Sequence, residues 1–225
     1  MGLSLESPKM VEVLGRLFKA TDEGDPDVLE GIRSKYGDAL GKLPARARAD
    51  AMAEAYIPVS PEGGRLLYIL ARAQRSRNIV EFGTSFGIST IYLAAAVCDN
   101  GAGRVISTEL NPDKARQARR NLADAGMLDY VEIREGDALE TLAQLENNVD
   151  LLFLDGWKDL YLPVLKLLEP RLPAGALIAA DDVNLQPEPM KPYLAYVRDS
   201  QHGYVSVEFP VADGLEISLR TSPPR

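Results

Sequence analysis

Apolar residues in the N-terminal quarter of the chain recur with helical spacing and predict helices. The acidic residues 22–27 interrupt that pattern and predict a loop. Further along, a Ser-Pro pair predicts a helix start, with Ser60 as the N-cap and Pro61 at the first helical position. The predicted helices cover residues 3–22, 28–36, 44–55 and 61–74. We expect the first three to form an N-terminal helical extension over residues 1–55, which precedes a domain over residues 56–225.

From residue 79 onwards, short apolar runs alternate with helical patterns, which is typical of a doubly wound, mostly parallel sheet. Two final runs are separated by Pro210 and the turn-forming pair Asp213 and Gly214, and they predict a terminal antiparallel hairpin. The predicted strands cover residues 79–82, 104–109, 130–133, 149–155, 176–180, 204–209 and 215–219. The expected fold is therefore α/β, with a seven-stranded sheet, a C-terminal hairpin and extra N-terminal helices.

The composition argues against several classes of function. The 225 residues carry a net charge of −8, which disfavours nucleic acid or an anionic membrane as the main partner. No apolar run approaches the roughly 20 residues of a membrane-spanning helix, and the start of the chain lacks a signal-peptide pattern. The single cysteine, Cys98, excludes an intrachain disulfide and suits a reducing cytoplasm. The single histidine, His202, argues against a multi-histidine metal site and a Ser-His-Asp triad.

A glycine turn follows the first predicted strand. Gly83 and Gly87 interrupt the sequence Ile-Val-Glu-Phe-Gly-Thr-Ser-Phe-Gly-Ile-Ser-Thr, which covers residues 79–90. Glycines let backbone N–H groups approach a ligand closely, and the start of the next helix adds the positive end of its dipole. Open α/β sheets bind ligands at this edge, so we predict a ligand site here. The alternative is a tight strand-to-helix connection without a ligand.

Three acidic residues near strand ends are candidates for contacts with a nucleoside ligand. Glu109 ends the second strand, where an acid can accept two hydrogen bonds from a ribose diol; it could instead be a helix-entry acid. Glu81 lies just before the glycine turn and suits a cationic ligand, or it is an exposed strand residue. Asp137 could bind an adenine amine while Ala138 offers its backbone, or it could be an N-cap, and both roles are compatible. The turn lacks the G-x-G-x-x-G pattern of pyrophosphate sites.

Carboxylates also follow the fourth and fifth predicted strands. Asp155 ends one strand and Asp181 and Asp182 end the next, and neighbouring parallel strands would bring the three together. An all-oxygen set selects hard cations, Mg²⁺ first, with Mn²⁺ or Ca²⁺ as alternatives. Lys158 follows Asp155 by about one helical turn and is a candidate general base beside such a cation. Helix caps, solvated loop acids and a solvated lysine are the structural alternatives.

Five motifs, in this order, resemble those of cation-dependent, S-adenosylmethionine-dependent O-methyltransferases, and the segment that contains Lys158 is most similar to catechol O-methyltransferases. The resemblance covers roughly residues 56–220. It is carried by Ser60-Pro61-Glu62-x-Gly64, by the glycine turn with Glu81 and Ser89, by Glu109 with Asn111-Pro112, by Leu154-Asp155-x-Trp157-Lys158-Asp159-x-Tyr161-Leu162-Pro163, and by Ala180-Asp181-x-Val183.

The resemblance implies a Rossmann-like methyltransferase fold with S-adenosylmethionine as the methyl donor. The sulfonium of the cofactor would lie near Glu81, its ribose on Glu109 and its carboxylate end at Ser89. The implied cofactor-binding residues are Val59, Glu81, Gly83, Ser89, Glu109, Leu110, Asp137, Ala138 and Asp155.

For the reaction, the resemblance implies a divalent metal on Asp155, Asp181 and Asp182 that chelates two vicinal hydroxyls of a catechol-like small molecule. Lys158 would take the proton from the attacking hydroxyl. Methyl transfer then depends mainly on the alignment of oxygen, methyl group and sulfur.

Two positions depart from the family pattern. Asp182 stands where the family usually has Asn. The acidic contact to the second acceptor hydroxyl has no clear counterpart, since Glu208 lies near that position but Val207 aligns better.

We expect the helices before Tyr56 to select the acceptor and to contribute to a homodimer. Two other classes share part of the pattern: a nicotinamide-dependent oxidoreductase would use the same sheet and ribose acid, and a non-catalytic cofactor-binding protein would share everything up to Asp137.

Overall fold

The computed structural model describes residues 2–221 of the chain. Its strands are β1 (Asn78–Phe82), β2 (Arg104–Glu109), β3 (Val131–Glu135), β4 (Leu151–Leu154), β5 (Leu177–Ala180), β6 (Tyr204–Phe209) and β7 (Leu215–Arg220). They form one sheet in the order β3-β2-β1-β4-β5-β7-β6. The first five strands are parallel, and β7 runs antiparallel to both of its neighbours. The predicted seven-stranded sheet with a C-terminal hairpin is therefore confirmed.

Helices cover both faces of this sheet. In the described part of the chain they are α1 (Pro8–Tyr36), α2 (Ala45–Ala51), α3 (Pro61–Gln74), α4 (Ile88–Asp99), α5 (Pro112–Asp124), α6 (Ala138–Thr141), α7 (Tyr161–Leu168) and α8 (Pro187–Arg198). Residues of α1, α3, α4 and α5 form the core on one face, and residues of α6, α7 and α8 form the core on the other. Among residues 2–221, none of the helices combines the length and the apolar character needed to span a bilayer.

Alternate residues of the central strands face the two helical layers. In β1, Ile79 packs with α3 and α4, whereas Val80 packs with α7 and α8. In β4, Phe153 and Leu154 divide in the same way, and all four residues of the strand are buried. A strand covered on both faces needs apolar residues throughout. This requirement explains why short apolar runs identified the strands in the sequence.

The centre of the sheet is the point at which the strand order reverses. Strand β1 pairs in parallel with β2 on one side and with β4 on the other. The chain leaves β1 towards α4 on one face and leaves β4 towards α7 on the opposite face. Because these two connections diverge, a crevice opens between the carboxyl ends of β1 and β4, where open α/β sheets bind their ligands.

Two helix starts depend on hydrogen bonds within a few residues, and the start predicted at Ser60 is confirmed. At the start of α3, Ser60 Oγ accepts a hydrogen bond from the backbone N–H of Gly63 at 3.0 Å. At the start of α5, Asn111 Oδ1 accepts from the N–H groups of Asp113 and Lys114 at 2.9 and 3.1 Å. Side-chain caps of this kind are encoded locally, so the sequence identifies them.

The predicted loop at residues 22–27 is wrong, because α1 continues through this segment with Pro26 inside it. A proline inside a helix removes one hydrogen bond and costs about 3 kcal/mol, so contacts outside the helix must stabilise it. Asp25 provides such a contact. Its buried carboxylate accepts hydrogen bonds from the backbone N–H groups of Tyr56 and Ile57, each at 2.8 Å.

The helix predicted over residues 44–55 is shorter in the structure, where α2 ends at Ala51. The next turns lead to Ala55, whose carbonyl oxygen accepts a hydrogen bond from the buried Nζ of Lys114 on α5 at 2.7 Å. This contact directs the chain towards the glycine turn. The partner lies 59 positions away, which is why the local pattern overextended the helix.

Candidate active site

A cavity of about 340 Å³ lies at the crevice between the carboxyl ends of β1 and β4. Of the residues predicted from the sequence, those that line it are Gly83, Glu109, Leu110, Asp137, Ala138, Asp155, Lys158 and Asp182. Four other predicted residues, Val59, Glu81, Ser89 and Asp181, are buried and are not among the lining residues. The N-terminal helices and the segment before α3 complete the lining with Leu29, Leu40, Ala45, Ala49, Met52, Tyr56 and Ile57.

The glycine turn after β1 approaches the end of β4 closely. Gly83 has a φ of 103°, in the region that favours glycine, and a Cβ atom there would collide with the backbone carbonyl group of Asp155. The sequence analysis attributed this glycine to the approach of a ligand. The structure gives a second reason for a glycine here. The absence of a side chain lets the turn after β1 contact the backbone of Asp155, one of the three predicted metal ligands.

Glu81 is fully buried, so the alternative of an exposed strand residue is wrong. Its carboxylate accepts hydrogen bonds from the hydroxyls of Ser89 at 2.6 Å, Thr90 at 2.5 Å and Ser107 at 2.5 Å. Burial raises the pKa of Glu81 to about 7, although the three hydroxyl donors oppose the increase. Glu81 therefore joins β1 to the first turn of α4 and to β2 beneath the cavity.

Glu109 lies at the cavity with both carboxylate oxygens oriented by the backbone. Oε2 accepts from the N–H of Ser85 and Oε1 from the N–H of Asn111, each at 2.8 Å. The side chain is nearly buried, and this burial raises its pKa despite these donors and the nearby charge of Lys114. Each carboxylate oxygen has a further lone pair, so the fixed carboxylate can accept hydrogen bonds from two neighbouring hydroxyls.

Asp137 is the N-cap of α6, as one of its two proposed roles required. Its Oδ1 accepts a hydrogen bond from the backbone N–H of Leu139 at 2.8 Å. The residue also lines the cavity together with Gly136 and Ala138. The cap leaves the second oxygen of this carboxylate for another donor, so the binding role stays a prediction beside the structural one.

The structure brings together the three acids that follow β4 and β5. Asp155, Asp181 and Asp182 each offer an oxygen atom, and these atoms lie within 4.8 Å of one another. Burial raises the pKa of Asp181 to about 7, and the negative charge of Asp182 adds to the shift. The pKa of Asp155 is raised well above its usual range, first by burial and then by Asp181. Three carboxylates that are held together despite burial and mutual repulsion form a set of oxygen ligands that fits a hard divalent cation.

Lys158 lies beside this acidic cluster in a short 3₁₀ helix (Lys158–Leu160) and is buried. Its Nζ donates to the hydroxyl of Tyr161 at 2.7 Å, to the backbone carbonyl of Asp181 at 3.2 Å and to Asp182 Oδ2 at 3.4 Å. The hydroxyl of Tyr161 in turn donates to the carbonyl of Asp181 at 3.1 Å. The amine is therefore fixed at the cavity by three oxygen atoms.

Sequence reasoning missed two residues that shape the site. Tyr161 fixes the amine of Lys158. Because Tyr161 follows Lys158 by three residues, helical spacing could have predicted this contact. Lys114 lines the cavity and contacts Ser85 Oγ at 3.2 Å, with a pKa lowered mainly by burial. A lysine on the apolar face of an otherwise amphipathic helix was the signal for that residue.

Glu208 does not supply an acid to the cavity. Its carboxylate accepts hydrogen bonds from Asn184 at 2.7 Å and from Arg198 at 3.0 Å, and it is not a lining residue. The hydrogen bond from Asn184 lowers the pKa of Glu208, and Arg198 adds to this effect. Asp182 and Gln186 are the polar residues that line this part of the cavity after β5.

Comparison with known proteins decides the family. Residues 80–183 match the model of a methyltransferase domain. The catechol O-methyltransferase of Niastella koreensis is 38% identical over 169 residues, covering 69% of this chain and 74% of that protein. The chain belongs to the cation-dependent, S-adenosylmethionine-dependent O-methyltransferases.

Solved structures agree with this family. Cofactor-bound Rv0187 from MTB has a TM-score of 0.68 and 29% identity, and the match covers 88% of this chain and 97% of that one. The O-methyltransferase TomG from Streptomyces achromogenes, in complex with SAM, has a TM-score of 0.65 and 26% identity, covering 81% and 89%. An O-methyltransferase is an enzyme and transfers no hydride, so the oxidoreductase and the non-catalytic alternatives are both wrong.

We expect Glu81 to make the stability of this O-methyltransferase depend on pH. Its pKa is about 7 in the folded protein against 4.5 for the ordinary group, so folding favours the protonated form. The contribution of Glu81 to stability is fully present below pH 4.5, and it is lost as the pH rises towards 7 and above. Between pH 5 and 8 the wild type should lose about 2–3 kcal/mol of unfolding free energy relative to the Glu81→Gln variant.

Urea unfolding of the two proteins at several pH values measures this difference, and the comparison cancels the other titrating groups that the proteins share. A difference in unfolding free energy that stays constant from pH 5 to 8 would contradict the raised pKa of Glu81.

Proposed function

We propose that this O-methyltransferase transfers a methyl group from S-adenosylmethionine to one hydroxyl of a catechol-like small molecule, with a divalent cation as an essential partner. The observation that carries the proposal is the position of the acidic cluster and Lys158. Both adjoin one cavity, and Glu109 lies in the same cavity. The catechol O-methyltransferase of Niastella koreensis is a relative whose name supports the class of acceptor.

The cofactor would occupy the part of the cavity that follows β1, β2 and β3. Glu109 would accept hydrogen bonds from the ribose hydroxyls, and Asp137 with Ala138 would contact the adenine. Gly83 and Leu110 would contribute backbone and side-chain surface. Val59, Glu81 and Ser89 would act from beneath the glycine turn, since Glu81 and Ser89 hydrogen-bond one another there. Bound S-adenosylmethionine would supply the methyl group on its sulfonium, and the neutral thioether S-adenosylhomocysteine would be the leaving group.

Asp155, Asp181 and Asp182 would hold the cation, with Mg²⁺ as the first choice and Mn²⁺ or Ca²⁺ as alternatives. A cation held there would acidify and orient two vicinal hydroxyls of the acceptor. The raised pKa values of Asp155 and Asp181 support this role, because a positive charge would relieve the repulsion between the buried acids. Asp182 would add a negative charge that a family member with Asn lacks.

The Nζ of Lys158 would accept the proton of the attacking hydroxyl. The hydroxyl of Tyr161 and the carbonyl of Asp181 support this role, because they orient the amine at the cavity. A base that is already in position need not reorganise when the proton moves, which is the main requirement of general base catalysis.

The acceptor would be a small molecule with an apolar, uncharged body. The lining contributed by residues before Tyr56 is apolar and includes Leu29, Leu40, Ala45, Ala49 and Met52. Lys114 and Lys158 are the cations among the lining residues of the described chain. Since both already contact protein oxygens, an anionic acceptor would lack a partner there. The extension over residues 1–55 would thus select the acceptor.

A methyl-transfer assay with catechol tests the proposed function. We expect turnover with S-adenosylmethionine and Mg²⁺, complete loss after treatment with EDTA, and recovery when Mg²⁺ is restored. Resorcinol is the matched control acceptor, because its two hydroxyls are not vicinal and cannot chelate one cation. Full activity in EDTA would contradict the role of the metal, and equal rates with resorcinol would contradict chelation by vicinal hydroxyls.

The Lys158→Ala variant should lose about 10²–10⁴-fold in kcat, the usual contribution of a general base. Its affinity for S-adenosylhomocysteine, measured by calorimetry, should remain close to that of the wild type. Lys158→Arg should not restore activity, because a guanidinium stays protonated. The exposed Lys166 on α7 gives the control variant Lys166→Ala. A Lys158→Ala enzyme with near-normal kcat would show that Lys158 is not the base.

We also propose a homodimer in which the free edge of the sheet contributes to the contact besides the helices before Tyr56. Strand β6 is an edge strand, and its residues Val205, Val207 and Phe209 are exposed beside Leu219 of β7. Edge strands with exposed apolar residues are natural pairing surfaces. A cytoplasmic location fits the single cysteine.

Light scattering coupled to size exclusion should therefore give twice the chain mass of 24.6 kDa. The Val207→Glu variant should elute as a monomer, whereas Ile69→Glu, at an equally exposed position on α3, should remain dimeric. A monomeric wild type at micromolar concentration would contradict the proposed dimer.

A further inference from the structure

Arg48 connects the N-terminal wall of the cavity to the segment that contains Lys158. It lies on α2 and is 7% exposed. Its two terminal nitrogens donate to the two carboxylate oxygens of Asp159 at 3.0 and 3.1 Å, in a bidentate ion pair. The guanidinium carbon also lies 4.6 Å from the centre of the Trp157 ring. One side chain thus contacts the residues on both sides of Lys158.

These contacts fix a wall of the acceptor part of the cavity. Trp157 lines the cavity, and Ala45 and Ala49 of α2 line it as well. A planar guanidinium suits this position, because it forms two parallel hydrogen bonds to a carboxylate and stacks on an aromatic ring at once. Arg48 therefore fixes Trp157 relative to α2, and both contribute to the cavity wall.

The polar contacts of Arg48 within the described chain are few. Its Nε is buried without a hydrogen-bond partner. The bidentate ion pair with Asp159 and the cation–π contact with Trp157 are therefore its main interactions. Asp159 itself is half exposed. Neither contact involves Asp155, Asp181 or Asp182, so a variant that removes either contact acts first on Trp157.

We propose that Arg48 is a positioning residue that sets the orientation of the acceptor ring through Trp157 and thereby decides which of two vicinal hydroxyls is methylated. The inference rests on the proposed function, since it concerns the same acceptor. A ring confined between Trp157 and α2 presents one hydroxyl to the methyl donor. A ring with more freedom presents both, and displacements of about 1 Å at a reacting centre change rates by up to about 10²-fold.

The protein contains a single tryptophan, so its fluorescence reports on Trp157 alone. We expect Arg48→Ala to shift the emission to longer wavelength and to increase quenching by acrylamide, because the ring loses the cation that covers it. Arg48→Lys should give an intermediate result, since an ammonium keeps the positive charge but cannot form the bidentate pair with Asp159. Asp159→Asn removes the charge of the half-exposed partner but keeps its size, and it should shift the signal in the same direction.

Arg16→Ala is the matched control. Arg16 also forms an ion pair with an aspartate on another helix, Asp124 at 3.1 Å, but it lies outside the cavity lining. This variant should leave both the emission and the products unchanged.

Product analysis with a ring-substituted catechol completes the test. In Arg48→Ala and Asp159→Asn the ratio of the two monomethylated products should move towards one, and kcat/KM for the acceptor should fall about 10- to 100-fold. The dissociation constant of S-adenosylhomocysteine should stay within about twofold, as expected for a residue that acts on the acceptor alone.

Unchanged fluorescence in every Arg48 variant would overturn the proposed contact with Trp157. Altered fluorescence with an unchanged product ratio would overturn the role in orientation and leave Arg48 as a structural residue. A wild type that methylates no catechol would overturn the proposed function itself, which distinguishes the two failures.

Discussion

The burial of carboxylates near the carboxyl edge of the sheet is the constraint on which the rest of this structure depends. A buried carboxylate is stable only with hydrogen-bond donors or a positive charge. Glu81 receives three hydroxyl groups, and Glu109 receives two backbone N–H groups. Asp25, in the N-terminal extension, likewise receives two N–H groups. Each of these acids is thereby turned into a rigid connection between elements.

The acidic cluster is different from these compensated acids. Asp155, Asp181 and Asp182 repel one another, and the positive charge that pairs with the cluster is Lys158, at 3.4 Å from Asp182. One ammonium cannot balance three carboxylates, and burial first, with the repulsion between the acids in addition, raises the pKa values of Asp155 and Asp181. The same crevice therefore contains two kinds of carboxylate. Glu109 is fully supplied with hydrogen-bond donors, whereas the negative charge of the acidic cluster beside Lys158 is only partly balanced. That division suits a cationic cofactor and a divalent metal bound side by side.

The N-terminal extension completes the cavity and is tied to the sheet at several points. Asp25 holds the backbone of Tyr56 and Ile57, and the hydroxyl of Ser85 donates to the carbonyl of Tyr56 at 2.8 Å. Ile57 has a φ of 43°, an unusual conformation for a β-branched residue. Such strain persists only where surrounding contacts enforce it, and here they hold Ile57 at the cavity.

The sequence by itself determined the elements and the chemistry of the sheet edge. Apolar runs located the central strands β1, β4 and β5 because these are covered on both faces, and Ser60 marked a helix start because its cap is local. The acids Glu109, Asp155 and Asp182 were found because each ends a strand or follows one within two residues, and the carboxyl ends of parallel strands meet at one edge. Only the tertiary structure decided the path through Pro26, the early end of α2 and the partner of Arg48. Arg48 and Asp159 lie 111 positions apart, and no local periodicity encodes a contact between segments that meet only when the chain is folded.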